Sequence, residues 1–276
     1  MMEDGKSHIV SPVPFGTRFS RDAFVGTARY YSDFRLPYPA HLLKQLCLDA
    51  EVTGRGRLVD LGCGPGRVSL PLSSCFVRVT AVDSEKEMIR EGRNRARSKG
   101  IGNIRWYLSL AESFRVAART AELVTIGEAF HRFDQRAVAE RVRRWLKPKG
   151  CIALLWQHHP WQGGGTWHQA VRETMNRWAP IEQSARTPPP KIIPFEQVLI
   201  EAGFVRVERK EFIVEHKWTI DELIGFFYST SILSRRVLGA FATEFEADLR
   251  ASLLVSDARG QYPEDVSFAY IIGRSQ

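Results

Sequence analysis

The chain has 276 residues, 44% hydrophobic and 25% charged. That balance excludes a disordered or low-complexity polypeptide and is enough for one large α/β domain with insertions. Thirty-nine Lys and Arg against 31 Asp and Glu give a net charge of +8, which keeps a nucleic-acid partner open as an alternative.

In chain order, residues 1 to 20 read as a flexible tail, with Pro12 and Pro14 against regular structure. The start, Met1-Met2-Glu3-Asp4-Gly5-Lys6, lacks an apolar signal core, so a cytoplasmic protein is expected. No run of about 18 uncharged apolar residues occurs, and no membrane-spanning helix is expected. Phe19 to Leu46 carries Phe24, Tyr30, Tyr31 and Phe34, then Pro37 and Pro39 ahead of a helical Leu42-Leu43-Leu46 stripe. Strand patterns follow near 57–61, 77–82, 104–107, 122–126 and 151–156, with helical stretches between them. Such alternation predicts a doubly wound parallel sheet.

Beyond Trp156 the pattern changes. Gly163-Gly164-Gly165 leads into a helix from Thr166 to Trp178, with Thr166 as its expected N-cap. After a proline-rich linker at Thr187-Pro188-Pro189-Pro190, Phe195 to Ala202 reads as a helix stopped by Gly203. Phe204 to His216 alternates as a strand, Trp218 to Tyr228 and Arg235 to Leu254 read as helices, and Val266 to Gly273 as a last strand.

The chemistry is concentrated where the first strand ends. Arg57-Leu58-Val59-Asp60-Leu61 runs into Gly62-Cys63-Gly64-Pro65-Gly66, a turn that brings a ligand against bare backbone. A nicotinamide fingerprint wants a third glycine at position 67, which is Arg67, and a carboxylate at Asp60 opposes a pyrophosphate. Asp60 suits instead a ligand with an ammonium and a sulfonium. Asp83, ending the next apolar run, is spaced to accept bonds from two ribose hydroxyls.

These residues resemble the first two motifs of the class I S-adenosylmethionine-dependent methyltransferases. Leu110-Ala111-Glu112-Ser113-Phe114 is similar to the family's adenine segment, Glu122 to Ile126 to its fourth strand, and Trp145 to Leu154 to the helix, Pro/Gly turn and fifth strand that follow. The resemblance covers residues 57 to 156. Tyr30 to Pro39 further resembles the N-terminal segment of small-molecule enzymes related to trans-aconitate methyltransferase, which folds over the cofactor mouth.

The resemblance implies a Rossmann-like seven-stranded sheet whose last strand is antiparallel, S-adenosylmethionine as cofactor and S-adenosylhomocysteine as product. It implies a single domain over 21–276, with an N-terminal cap at 21–50 and lid insertions at about 157–194 and 217–256. Its cofactor set is Tyr30, Arg35, Asp60, Gly62, Cys63, Gly64, Gly66, Asp83, Ser84, Met88, Ala111, Glu112, Glu128 and Phe130.

Methyl transfer from a sulfonium is an in-line displacement in which the protein mainly positions. The proton-handling candidates are therefore sought near the ends of the fourth and fifth strands: His131, the pair His158 and His159, and Glu173 on the helix beyond. Among the later aromatics some must be core, and Trp161, Trp167, Phe227 and Tyr228 are expected to line a pocket for a small organic acceptor. Cys47, Cys63, Cys75 and Cys151 show no metal or disulfide spacing, so they are expected to be reduced and no metal is expected.

The leading expectation is methyl transfer to an O, N or C nucleophile of a small molecule in secondary metabolism, by a monomer or homodimer without nucleic-acid or membrane partners. The alternatives are an RNA or protein methyltransferase and a cofactor-binding protein without methyl transfer. The basic runs Arg90 to Lys99 and Arg141 to Lys149 are read as solvated helix faces.

Overall fold

A computed structural model describes residues 22–179 and 193–276. The expected tail at 1–20 and the Thr187 to Pro190 linker lie outside the described residues. The core is one seven-stranded sheet in the order β3-β2-β1-β4-β5-β7-β6. Strands β1 (Arg57–Leu61), β2 (Arg78–Asp83), β3 (Ile104–Leu108), β4 (Ala121–Gly127) and β5 (Leu146–Gln157) run parallel, and β7 (Gln261–Arg274) inserts antiparallel between β5 and β6 (Val205–Thr219). This is the expected Rossmann-like fold with an antiparallel last strand.

The central strands are almost wholly apolar because helices cover both faces. In β4, six of seven residues are buried. On one face pack α1 (Ala28–Phe34), α2 (Ala40–Asp49), α8 (Ile220–Tyr228) and α10 (Ala242–Ser256), through Leu42, Leu46, Phe226, Phe245 and Tyr270. On the other pack α5 (Gln135–Trp145) and α7 (Phe195–Glu201), through Val138, Val142, Trp145 and Leu199. The chain turns one way from β1 to β3 and the other way from β4 to β5. The crevice at the carboxyl ends of β1 and β4 is thus the switch point where doubly wound sheets bind ligands.

α3 (Ser69–Leu72) follows the glycine turn, and α4 (Lys86–Ser98) follows β2, capped by Glu85, whose side chain accepts from the Glu87 amide. α6 (Thr166–Trp178) lies between β5 and α7 and is clamped to α10, where Arg177 donates two bonds to Asp248 at 2.9 and 3.0 Å and Trp178 a third at 2.7 Å.

Several sequence expectations are corrected. Helix α6 is capped at Gly165, not Thr166, because the His168 ring accepts the Gly165 amide at 3.0 Å. Arg235 to Leu254 is not one helix: Gly239, at φ +56°, breaks it into α9 (Arg235–Leu238), a 3₁₀ turn over Gly239–Phe241, and α10. Strand β7 starts five residues before Val266 because β6 extends to Thr219 and pairs with it there. Lys147 is no solvated lysine; it pairs with Glu122, whose side chain is 1% exposed and also accepts from Thr53 at 2.9 Å. No helix among the described residues is long and apolar enough to cross a membrane.

Candidate functional site

Two cavities open at the switch point. The first, of about 160 Å³, is walled by Gly62 and Gly64 of the glycine turn, by Asp83, Ser84 and Met88 at the end of β2, and by Ser109 to Glu112 after β3. The second, of about 140 Å³, is walled by Arg35, Phe130, His131, Trp156, His159, Trp161, Phe195, Thr230 and Ser231. They share Phe24, Tyr31, Glu128, Ala129 and Arg132, so ligands in the two would meet end to end.

In the first cavity the backbone does most of the work. Gly62 has φ +62°, and a Cβ there would stand 2.5 Å from the Ala129 Cβ, so only glycine closes the turn. At Gly64, φ +52°, a Cβ would meet nothing nearer than the Tyr31 ring at 3.9 Å, because it would project into the cavity. Asp83 is fixed by amides, the Gly64 N–H donating to one oxygen and the Glu85 N–H to the other, both at 2.8 Å. Burial raises its pKa against those two bonds.

Asp60 behaves otherwise. It is 1% exposed and lines neither cavity. The Ser69 amide, at 3.1 Å, and the Ser69 hydroxyl donate to it, as does Thr125 Oγ1 at 2.8 Å. It ties the start of α3 to β4. Burial outweighs these neutral donors and lifts its pKa to about 6.

The wall between the cavities is a chain of charge. Glu128, at φ +58°, accepts from the Gln157 amide at 2.6 Å and lies 3.4 Å from His159 Nε2. The other ring nitrogen, Nδ1, faces Arg35 Nη1 at 3.4 Å. A guanidinium only donates, so Nδ1 accepts and the proton sits on Nε2, toward Glu128. Burial would raise Glu128, but His159, Arg35 and Arg67 win and hold it at about 2. Burial lowers His159 against the pull of Glu128, and lowers His131 to about 4.

Arg35 is carried to this wall from the end of α1. Its Nε donates to Ser229 at 2.7 Å, and its guanidinium lies 4.1 Å from the Phe226 ring centre. Arg132, from the turn after β4, lies 4.4 Å over Phe24. Burial lowers its pKa to about 10, while Asp83 pulls the other way.

Of the residues named from sequence, Gly62, Gly64, Asp83, Ser84, Met88, Ala111, Glu112 and Glu128 meet in the first cavity. Arg35, Phe130, His131, His159 and Trp161 meet in the second. Arg35 and Phe130 thus stand on the far side of the dividing wall from the other cofactor candidates. Cys63 and Gly66 are packing positions: Cys63 clusters with Ala81 and Ile89, and a Cβ at Gly66 would strike Trp106 at 2.8 Å and Leu70 at 2.9 Å.

Tyr30 turns away, stacks on Phe34 and meets Tyr228 edge to face. Its neighbour Tyr31, one helical turn before Arg35, is the one that faces both cavities. That phase was readable in principle, since Tyr31 and Arg35 share a helix face, as do Tyr30 and Phe34. Phe24, Ser109, Arg132 and Phe133 also line the site without having been singled out for it.

Five further candidates fall outside both cavities. Trp167 is 7% exposed and stacks on His168, Phe227 and Tyr228 are 1% and 2% exposed within the core, and Glu173 lies on the exposed face of α6, bonded by Gln169. His158 turns to Glu264, 4.0 Å away, a buried carboxylate that also takes bonds from His168 at 3.2 Å and Trp218 at 2.6 Å. Among the described residues, no group of three His, Cys, Asp or Glu is placed to hold a metal, and the four cysteines are free.

Comparisons with known proteins agree with this geometry. Residues 58–150 match the family described as a methyltransferase domain. A Dictyostelium discoideum protein named as a methyltransferase is 24% identical over 224 residues, 81% of each chain. Methyltransferase YcgJ of Bacillus subtilis is 29% identical over 138 residues, 50% of this chain and 54% of that one. A structure titled as a type II methyltransferase from Anaeromyxobacter dehalogenans superposes with a TM-score of 0.60 at 22% identity, covering 88% of this chain and 98% of the other. With the glycine turn, the amide-held Asp83 and these matches in agreement, residues 58–150 carry a methyltransferase domain and the chain is an S-adenosylmethionine-dependent methyltransferase.

Proposed function

We propose that the first cavity holds S-adenosylmethionine, that the second holds a small organic acceptor, and that the methyl group passes between them beside Glu128 and Ala129. The observation that carries this is the shared wall: one set of five side chains borders both cavities. When bound, the cofactor supplies a methyl group already activated on a sulfonium. Gly62 and Gly64 fit its close approach, and Asp83, with both oxygens held by amides, fits a pair of ribose hydroxyls. Ser109 to Glu112 border the adenine end.

On the acceptor side the work is positioning and exclusion of water. Phe24, Phe130, Trp156 and Trp161 supply apolar walls, while Gln162, Thr230 and Ser231 supply hydrogen-bonding groups. We place the cap at α1 and α2 and the lid at α6 and α8–α10, since Arg35 of the first and Trp161, Thr230 and Ser231 beside the second enclose the cavity. A small aromatic or alicyclic metabolite fits this enclosure, and a cytoplasmic enzyme of secondary metabolism fits the acceptor class.

The test is turnover with isotope-labelled cofactor against a panel of metabolites. S-adenosylhomocysteine formed in step with acceptor loss is expected; cofactor binding without turnover of any small acceptor would sink the reading. A nucleic-acid acceptor is the second reading, favoured by the row Lys86, Arg90, Arg93 and Arg97 along one groove of α4. It requires an affinity for RNA that falls steeply with salt.

A further inference from the structure

Six titratable side chains among the described residues face the second cavity: Tyr31, Arg35, Glu128, His131, Arg132 and His159. None of the carboxylate or imidazole groups is suited to take a proton from an incoming nucleophile. Glu128 spends one oxygen on the Gln157 amide and the other on His159. His159 has Nδ1 committed to Arg35 and Nε2 to Glu128. Burial makes His131 a weak base, with its pKa at about 4.

Positive charge, by contrast, is in supply. Arg35 and Arg132 both line the cavity against the single, already bonded carboxylate of Glu128. The Arg35 Nε donates to Ser229 and Nη1 to His159, which leaves the Nη2 donors for a ligand in the cavity.

We propose that the acceptor reacts through an oxyanion, either a carboxylate or the ionised hydroxyl of a phenol or enol, seated against Arg35 in the second cavity. The proposal rests on the reading of that cavity as the acceptor site. The oxyanion gives a lone pair to the methyl carbon, and the carbon–sulfur bond breaks with its electron pair left on sulfur. The products are a neutral methyl ester or ether and a neutral thioether. No proton moves in the transfer itself: a carboxylate arrives ionised, and a phenol or enol gives its proton to water before its oxyanion is seated against the Arg35 guanidinium, so no protein base is required.

One positive and one negative charge disappear in the step, which a water-poor aromatic enclosure favours. An ammonium acceptor meets the reverse conditions. It must shed a proton with no group placed to take it, and it lies against two guanidinium groups.

The full-length protein is to be incubated with ¹³C-methyl S-adenosylmethionine and a metabolite extract rich in carboxylates, phenols and amines, and the carbon shift of the transferred methyl read by NMR. An O-methyl resonance is expected, and alkaline hydrolysis then separates the two sources, since only an ester is cleaved. An N-methyl or C-methyl resonance overturns the proposal while leaving the acceptor cavity standing. No transfer at all overturns that reading and the proposal with it.

Arg35→Gln supplies a second arm. Its KM for the O-acceptor should rise roughly tenfold or more, the loss of one charge-assisted bond, with calorimetric affinity for S-adenosylhomocysteine unchanged and partial recovery in Arg35→Lys. An unchanged KM for the acceptor also overturns the proposal.

Discussion

The two cavities meet at a common wall, yet they are built by opposite means. The first cavity, proposed for the cofactor, is built on strand-end turns, with glycines at 62 and 64, an acid at 83 and a loop at 109 to 112, closed by Phe24, Tyr31 and residues 127 to 133. The second cavity, proposed for the acceptor, is lined by side chains brought from five segments, at 24 to 35, 126 to 132, 154 to 162, 195 and 230 to 232. Backbone sites tolerate little change because their shape is the turn itself. A side-chain site is retuned one residue at a time, which is how one fold serves many acceptors.

Two buried carboxylates sharpen the contrast. Asp60 and Glu128 both stand at strand ends and both are buried. Asp60 meets only neutral donors and burial lifts it to about 6; Glu128 meets His159, Arg35 and Arg67, and is held at about 2. Burial sets the penalty, and the charge of the partner decides its sign.

The comparison can be broken at its strongest point by Gly64→Val. That side chain enters the cofactor cavity from a left-handed backbone position, so calorimetry should find no S-adenosylhomocysteine binding while circular dichroism retains the fold. Normal binding would mean that the turn does not face the ligand.

The next effect concerns Asp60. Its folded pKa stands above the usual 3.8, so the folded state binds a proton more readily than the unfolded one. Its contribution should rise as pH falls from about 6 toward 4, by roughly 2 to 3 kcal/mol. Denaturant titrations of the wild type and Asp60→Asn across that window measure this; a constant difference would show that Asp60 is not raised.

Asp83→Asn should weaken cofactor binding by about 1 to 3 kcal/mol, the cost of a lost bond to a charged acceptor, with acceptor KM little moved. An equal loss on both sides would mean that the cavities are not separable in this way. The smallest effect belongs to Glu173→Gln, on the outer face of α6, which should shift stability and turnover by less than about 0.5 kcal/mol. A large loss of turnover would return Glu173 to the site.

The glycine turn, Asp83 and the five parallel strands were legible because each is a local pattern: a short continuous apolar run ending in a turn or a charged residue. The broken helix at Gly239 was not, since an isolated glycine inside a helical pattern is ordinarily tolerated. Nor was the role of Asp60, because its distance from any ligand is set by Ser69 and by Thr125 on the neighbouring strand. The late aromatics misled for a related reason. Trp161 and Phe227 lie in the same aromatic cluster, their ring centres 6.0 Å apart, but only the first reaches the cavity.

The sequence by itself determined the sheet and the glycine turn that walls the first cavity, since apolar runs and glycine geometry act over a few residues. Only the tertiary structure decided what walls the second cavity. Arg35, Glu128 and His159 are separated by up to 124 positions, and their shared charge exists only once α1, β4 and β5 have packed together. Arg35 illustrates the division: the resemblance of its segment assigns it to the cofactor set, while its neighbours in space place it on the wall of the second cavity.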